Sequence, residues 1–294
     1  MQLFQVQRKH VSQEIVPGFK QHIPYVYYDP LIDNGKNDVI LYVQGLNGTI
    51  SGADMLEHKF FDDKILVSYE KLAHGDNSNS ASLHASRYVN ELMGVINITK
   101  AKFPNSKVFI AGESFGGAIS VIFYFKFHKL VDGMIVWNIP YKIINVNKTS
   151  LLVNLKTACK MLPVIFFGIT TYDYNAADPI EYLTSNKILV RMRRLNKENN
   201  KKSNNKSSWT ANLIMKKSWK TMNKLLKKFP DTNFIQIQTK EDRLADFKRW
   251  NKLNQKFPKS KHLVFLEKGW HILCLEEPMK DELWNIFQTG VING

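Results

Sequence analysis

Apolar and polar positions follow two rhythms along the chain. Short runs rich in β-branched and aromatic residues, VILYVQG (39–45), KILVSYE (64–70), KVFIAGES (107–114), GMIVWNIP (133–140), NFIQIQT (233–239) and HLVFLEK (262–268), are continuously apolar rather than alternating. Strands of that kind are covered on both faces, as in a parallel sheet flanked by helices. Between them the apolar spacing turns helical and predicts helices over 82–102, from Gly116 onward, over 245–257 and over 278–287. The fold class is therefore α/β with a mostly parallel central sheet. The stretch VPGFKQHIPYVYYDP (16–30) is expected to add an antiparallel hairpin at the sheet edge.

The alternation breaks once, between Pro140 and Asn233. Inside this gap Met215, Trp219, Met222, Leu226 and Phe229 recur at spacings of four, three, four and three, with most lysines on other faces, which predicts an amphipathic helix. LNKENNKKSNNKSS (195–208) has no apolar periodicity and reads as a solvated basic loop. Helices inserted here would lie over the carboxyl ends of the strands, where open α/β sheets bind ligands. The expected organisation is a core of residues 1–140 and 231–294 with an inserted helical cap, or lid, of residues 141–230.

With 294 residues, 44% of them hydrophobic, the chain can form one large domain with a sizeable core plus such an insertion. Its net charge of +15 is regional, because fourteen Lys or Arg between Lys187 and Lys228 face a single acid, Glu198. Cap lysines on an anionic membrane surface are one reading and a solvated face is another. Nucleic acid is disfavoured as a partner, since the basic region has no aromatic platforms beyond Trp209 and Trp219 and no zinc or RNA-binding signature. Cys159 and Cys274 stand alone, which suits a reducing compartment, and the opening MQLFQVQRKHVSQEIV lacks an export pattern, so a cytoplasmic location is expected. The apolar stretch from Leu151 to Thr170 carries Lys156, Lys160 and Pro163. Each mid-span charge costs about 2.5–3.5 kcal/mol on insertion, so this stretch reads as a buried or lid helix.

The candidate chemistry begins at Gly112-Glu113-Ser114-Phe115-Gly116, followed by Gly117. This GxSxG lies between a strand run and a helical run, where the serine would occupy a strained turn and side chains at the flanking glycines would clash. A serine hydroxyl is a weak nucleophile and needs a base and a carboxylate to orient that base. His271, in Gly269-Trp270-His271, follows the last strand run, whereas His262 opens that strand and should point elsewhere. Asp242 is preferred over Glu241 as the acid, in the segment Lys240-Glu241-Asp242-Arg243 after NFIQIQT. The order Ser114, Asp242, His271 suits a GxSxG serine on such a sheet. The backbone N–H of Phe115, and that of Leu46 after VILYVQG, are the candidate oxyanion donors.

These segments together resemble the α/β-hydrolases of the monoglyceride lipase and lysophospholipase type, which include serine aminopeptidases of the S33 type. QGLN (44–47) is similar to the family's HG oxyanion loop, LAHGDNS (72–78) to its RGHGxS turn, GESFGG to its elbow, TKEDRL and GWH to its acid and base segments, and NAADPI (175–180) to its cap entrance. The resemblance covers nearly the whole chain. It implies an acyl-enzyme on Ser114, no cofactor or metal, and a small-molecule or lipid ester substrate. It also places Gln44, Asn47, Glu113, Ile139 and Trp270 near that substrate. Three features depart from the family pattern: Gln44 stands for the usual histidine, Glu70 for the usual aspartate, and Leu72-Ala73 for arginine-glycine. Leu151, Leu152 and Val164 to Phe167 are candidates for an acyl-chain pocket or for plain cap packing. A serine peptidase on the same fold, a basic membrane- or nucleic-acid-binding protein, and a catalytically dead scaffold are the alternatives. No GxxxxGK[ST], HExxH or GxGxxG is present to support phosphate-loop, zinc or nicotinamide chemistry.

Overall fold

The computed structural model describes residues 10–15, 22–46, 48, 50, 53, 56, 58–72, 74, 77, 84–141, 208–242, 244–245, 247–258 and 260–294. Eight strands form one sheet: β1 (His10–Ile15), β2 (His22–Tyr28), β3 (Val39–Val43), β4 (Ile65–Tyr69), β5 (Val108–Glu113), β6 (Gly133–Trp137), β7 (Phe234–Thr239) and β8 (Leu263–Leu266). Their spatial order is β1-β2-β4-β3-β5-β6-β7-β8, antiparallel across β1-β2 and β2-β4 and parallel elsewhere. Among the described residues the long helices are α1 (Ala85–Lys102), α2 (Ser114–Phe127), α3 (Ser208–Lys228), α4 (Phe247–Lys256) and α5 (Met279–Phe287).

Both faces of the sheet are covered, which accounts for the continuous apolar runs. Val39, Leu41 and Val43 of β3, Val108 and Ile110 of β5 and Met134 and Val136 of β6 face a core shared with α1, α2, α3 and α4. Ile40, Tyr42, Phe109, Ala111, Ile135 and Trp137 face the opposite core, built on Phe60, Phe61 and α5 with Leu283, Trp284 and Phe287. Each strand thus sends alternate residues into two apolar layers.

Differences from expectation are local. The hairpin forms at the edge, but its first arm is HVSQEI, upstream of the stretch expected. That arm is mostly polar, so it gives no apolar signal. The β3 and β6 runs leave the sheet at Val43 and Trp137, and α2 opens at Ser114 itself rather than at Gly116. The amphipathic helix exists as α3, and it packs against α2. Ala211, Ile214, Met215, Met222, Leu225 and Leu226 are buried in the α2 core, while Lys216, Lys217, Lys220, Lys224, Lys227 and Lys228 are exposed. This stretch of the expected 141–230 insertion therefore belongs to a layer of the core. The acyl-pocket candidates, the NAADPI segment, most of the basic loop and Asn47 lie outside the described residues. Among the described residues no helix is long and apolar enough to cross a membrane.

Because α3 buries its apolar face in the core, Met222→Ala should cost about 2–5 kcal/mol of unfolding free energy in urea. Lys220→Ala, on the exposed face, should stay within about 0.5 kcal/mol.

Candidate active site

The site is assembled at the carboxyl edge of the sheet, where β5, β6, β7 and β8 end side by side. Ser114 stands at the junction of β5 and α2 with φ of 49°, in the left-handed region that side chains disfavour. The strain is held by close packing on both sides. A Cβ at Gly116 would come within 2.0 Å of the Val43 carbonyl oxygen and 2.3 Å of that of Gln44. One at Gly112 would meet Ser120 Oγ at 2.8 Å and Gly117 Cα at 3.0 Å. Only hydrogen fits at these positions, so the end of β3 lies directly against the elbow.

Asp242 follows β7 and His271 follows β8, and the two meet. His271 Nδ1 lies 2.9 Å from Asp242 Oδ2 and 3.1 Å from Oδ1, with both side chains buried. A carboxylate only accepts, so Nδ1 carries the proton and Nε2 is left as the basic nitrogen. Burial disfavours the charged imidazole, but the charge and hydrogen bond of Asp242, with Glu113 further off, outweigh it and hold the pKa above its ordinary value. The carboxylate is fixed in turn by the N–H groups of Leu244 (2.8 Å) and Ala245 (3.2 Å) on Oδ1. Glu241 is exposed and accepts from the N–H of Gly269 at 3.3 Å. Among the described residues the hydrogen bonds run from Asp242 to His271 and do not reach Ser114. His262 is turned away, with its ring nitrogens 2.7 Å and 2.6 Å from the carbonyl oxygens of Phe234 and Pro230.

Phe115 is buried in the first turn of α2, whose N-terminal N–H groups have no partner within the helix. Leu46 lies in a turn closed by Gly48 N–H donating to Gly45 O at 3.1 Å. Two carboxylates hold the loop. Glu113 Oε1 accepts from Gly45 N–H at 3.1 Å, and Glu70 Oε1 accepts from Ile50 N–H at 2.7 Å. Lys71, fully buried, places an ammonium without a hydrogen-bond partner among Glu70, Glu113 and Glu91. His74 stacks on Phe115 with ring centroids 6.1 Å apart, and burial pushes its pKa down to about 3.

Several side chains expected near the substrate turn elsewhere. Gln44 donates to the buried Ser68 Oγ at 2.6 Å, which turns its amide nitrogen into the sheet. The Glu113 carboxylate is taken up by Gly45 and by the thiol of Cys274, whose Sγ lies 3.8 Å from Oε2. Ile139 is fully buried, and a Cβ at Gly117 would meet its Cγ1 at 2.9 Å, so it packs beneath the elbow helix. Trp270 is half-buried beside His271, and its carbonyl oxygen accepts from Asn138 Nδ2 at 2.8 Å. Sequence reasoning missed Glu113 as a brace, Lys71 as its buried counter-charge, and Asn138. Each is a single polar residue at the end of an apolar run, and only the positive φ of 48° at Asn138 sets that one apart in the structure. No group of three or more His, Cys, Asp or Glu suited to a metal ion exists among the described residues.

A mixed sheet with this strand order, an elbow serine and a His–Asp pair on adjoining loops define an α/β-hydrolase. The chain belongs to the family described as serine aminopeptidase, S33, whose pattern matches residues 37–278. The fold is similar to that of a soluble variant of monoglyceride lipase from Saccharomyces cerevisiae, solved with a substrate analogue. That likeness has a TM-score of 0.73 at 16% identity and covers 98% of this chain and 96% of the other. A thermostable carboxyl esterase from Bacillus coagulans is similar with a TM-score of 0.67 at 14% identity, over 97% and 99% of the two chains. The thioesterase domain of the curacin biosynthetic pathway is similar with a TM-score of 0.61 at 13% identity, over 95% and 99%. A comparison with curated protein sequences gives no match.

The buried lysine makes stability depend on pH. Burial outweighs the attraction of the three glutamates and lowers the Lys71 pKa from 10.5 to about 8. Between these values the unfolded chain binds more protons, so stability rises with pH across that window. Lys71→Met should remove this rise, up to about 3 kcal/mol, in the difference between wild-type and variant urea unfolding from pH 8 to 10.5.

Proposed function

We propose that the protein is a serine hydrolase that cleaves carboxylic esters through an acyl-enzyme on Ser114. The observation that carries this reading is the buried His271–Asp242 pair, which shares the carboxyl edge of the sheet with a serine held at positive φ by the approach of β3. In this mechanism His271 Nε2 takes the hydroxyl proton as Ser114 Oγ attacks the ester carbonyl. Asp242 stabilises the resulting imidazolium, and the N–H groups of Phe115 and Leu46 receive the oxyanion. Collapse of the tetrahedral intermediate expels the alcohol, which takes the proton from His271. Water activated by the same histidine then releases the acid.

The substrate class we infer is an acyl ester of monoacylglycerol or lysophospholipid type. The similarity to a monoglyceride lipase over nearly the whole chain supports it. So does the state of the glutamates around the elbow. An aminopeptidase requires a carboxylate to receive the substrate ammonium, whereas Glu113, Glu70 and Glu91 are buried and hydrogen-bonded to the N–H groups of Gly45, Ile50 and Leu72. Residues 142–207, between Tyr141 and α3, are proposed to cover the site as its cap. The exposed lysines of α3, a helix with no acidic residue, support peripheral contact with an anionic membrane, each adding about 1 kcal/mol.

Fluorophosphonate should label the wild-type protein and not Ser114→Ala. Asp242→Asn should lower kcat by about 10³–10⁴-fold on p-nitrophenyl esters. Ester cleavage from acetate to palmitate, and of monoacylglycerol, should exceed cleavage of aminoacyl anilides. Labelling that persists in Ser114→Ala would sink the reading. Sedimentation with anionic vesicles tests the membrane contact: binding should be lost when Lys216, Lys217, Lys220 and Lys224 are replaced by Gln, and weakened by salt.

A further inference from the structure

Asn138 lies just beyond β6, fully buried, with φ of 48°; apart from Ser114 it is the other non-glycine residue at positive φ among the described residues. Its side chain uses both ends. Nδ2 donates to the carbonyl oxygens of Trp270 at 2.8 Å and His271 at 3.0 Å. Oδ1 accepts from Thr239 N–H at 3.0 Å, Thr239 Oγ1 at 3.1 Å and Gln238 Nε2 at 3.2 Å. The amide orientation is fixed chemically: rotating it would set NH₂ against the Thr239 N–H and oxygen against two carbonyls. One side chain at the end of β6 thus bonds both the end of the neighbouring strand β7 and the loop that follows β8. Gln238 also stands within 3.5 Å of Asp242 Oδ2, so the contacts return to the acid.

We propose that Asn138 is a positioning residue for the hydrolytic reaction, a clamp that fixes the base-bearing loop after β8 to the acid-bearing end of β7. The inference rests on the reading of Ser114, Asp242 and His271 as the reacting set. Asn138 does not touch the substrate. It sets the carbonyl of His271 itself, and hence the direction in which the ring leaves the backbone toward Asp242. Two loops after different strands otherwise have independent freedom, and the catalytic hydrogen bond between them tolerates little displacement. Asparagine suits the place because its short amide supplies donor and acceptor together and because it accepts positive φ better than most side chains.

The test reads His271 directly, by NMR titration of its Hε1 proton, beside kcat and KM for a p-nitrophenyl ester and urea unfolding of each variant. Asn138→Ala and Asn138→Asp are both expected to lose the hold on the base loop. The aspartate keeps the acceptor half but turns oxygen toward the Trp270 and His271 carbonyls. In Asn138→Ala the His271 midpoint should move down toward the ordinary imidazole value and the acid limb of kcat/KM should follow it. In Asn138→Asp the midpoint should depart from wild type, upward where the new carboxylate is charged. In both, kcat should fall at least tenfold with KM within threefold. Thr239→Val, which leaves both bonds to the base loop in place, should keep the wild-type midpoint and at least half of kcat. A folded Asn138→Ala or Asn138→Asp protein with wild-type midpoint and kcat overturns the clamp. If one of the two does not fold, the other decides. Asp242→Asn serves as reference: an unchanged midpoint there overturns the underlying triad reading, and this failure is distinguishable because the Asn138 titration needs no turnover.

Discussion

The contact on which the rest of the site depends is the approach of Gly116 to the backbone at the end of β3. A space too small for one methyl group lets the carbonyls of Val43 and Gln44 lie against the first turn of α2. This brings the loop after β3 beside the serine and holds Ser114 in its strained conformation. Strain of this type costs about 1–3 kcal/mol and persists only when its surroundings over-determine it. Here they do. The helix it opens is buried from Ser114 to Tyr124, between the sheet and the flanking helices α1 and α3. The elbow is thus supported by a helix buried over its first three turns, which explains why that part of α2 has no polar face.

Around that contact the polar groups are organised by burial more than by exposure. Glu113, Glu70 and Glu91 each spend a carboxylate oxygen on a backbone N–H of the loops beside the elbow, and Lys71 sits among them. Truncating one member of such a set leaves the other charges buried without compensation, so these residues stand or fall together. The substitution of glutamate for aspartate at position 70 and glutamine for histidine at 44 fits this scheme. Glu70 reaches the far end of the loop at Ile50, and the Gln44 amide nitrogen donates within the sheet to Ser68.

Much of this was legible in the sequence because it depends on residue type and order. Continuous apolar runs marked strands covered on both sides, and Ser114, Asp242 and His271, the proposed nucleophile, acid and base, could be singled out from their places after β5, β7 and β8. Boundaries were less visible. The apolar character of GMIVWNIP continues after the chain has left the sheet, since Ile139 packs beneath the elbow helix instead of extending β6. The two faces of α3 were evident from spacing, but spacing does not say what covers an apolar face, and the cover proves to be α2. Side-chain direction was least legible of all. Nothing in the string NIP indicates that its asparagine spans two strands, and nothing in QGLN indicates that its glutamine points into the sheet.

The edge-to-face contact of Tyr141 with Trp219 of α3, with ring centroids 5.6 Å apart, has a wider consequence. It ties the last described residue before position 142 to the helix that opens at Ser208, and Arg249 of α4 lies over the same tyrosine ring, 4.4 Å from its centroid. Exit and return of the intervening chain are thereby anchored on one rigid support. Between anchored ends, doubling a segment's length costs only about 0.6 kcal/mol of closure entropy. A change of length between these two anchor points therefore costs little closure entropy and leaves the positions of Ser114, Asp242 and His271 to the sheet edge.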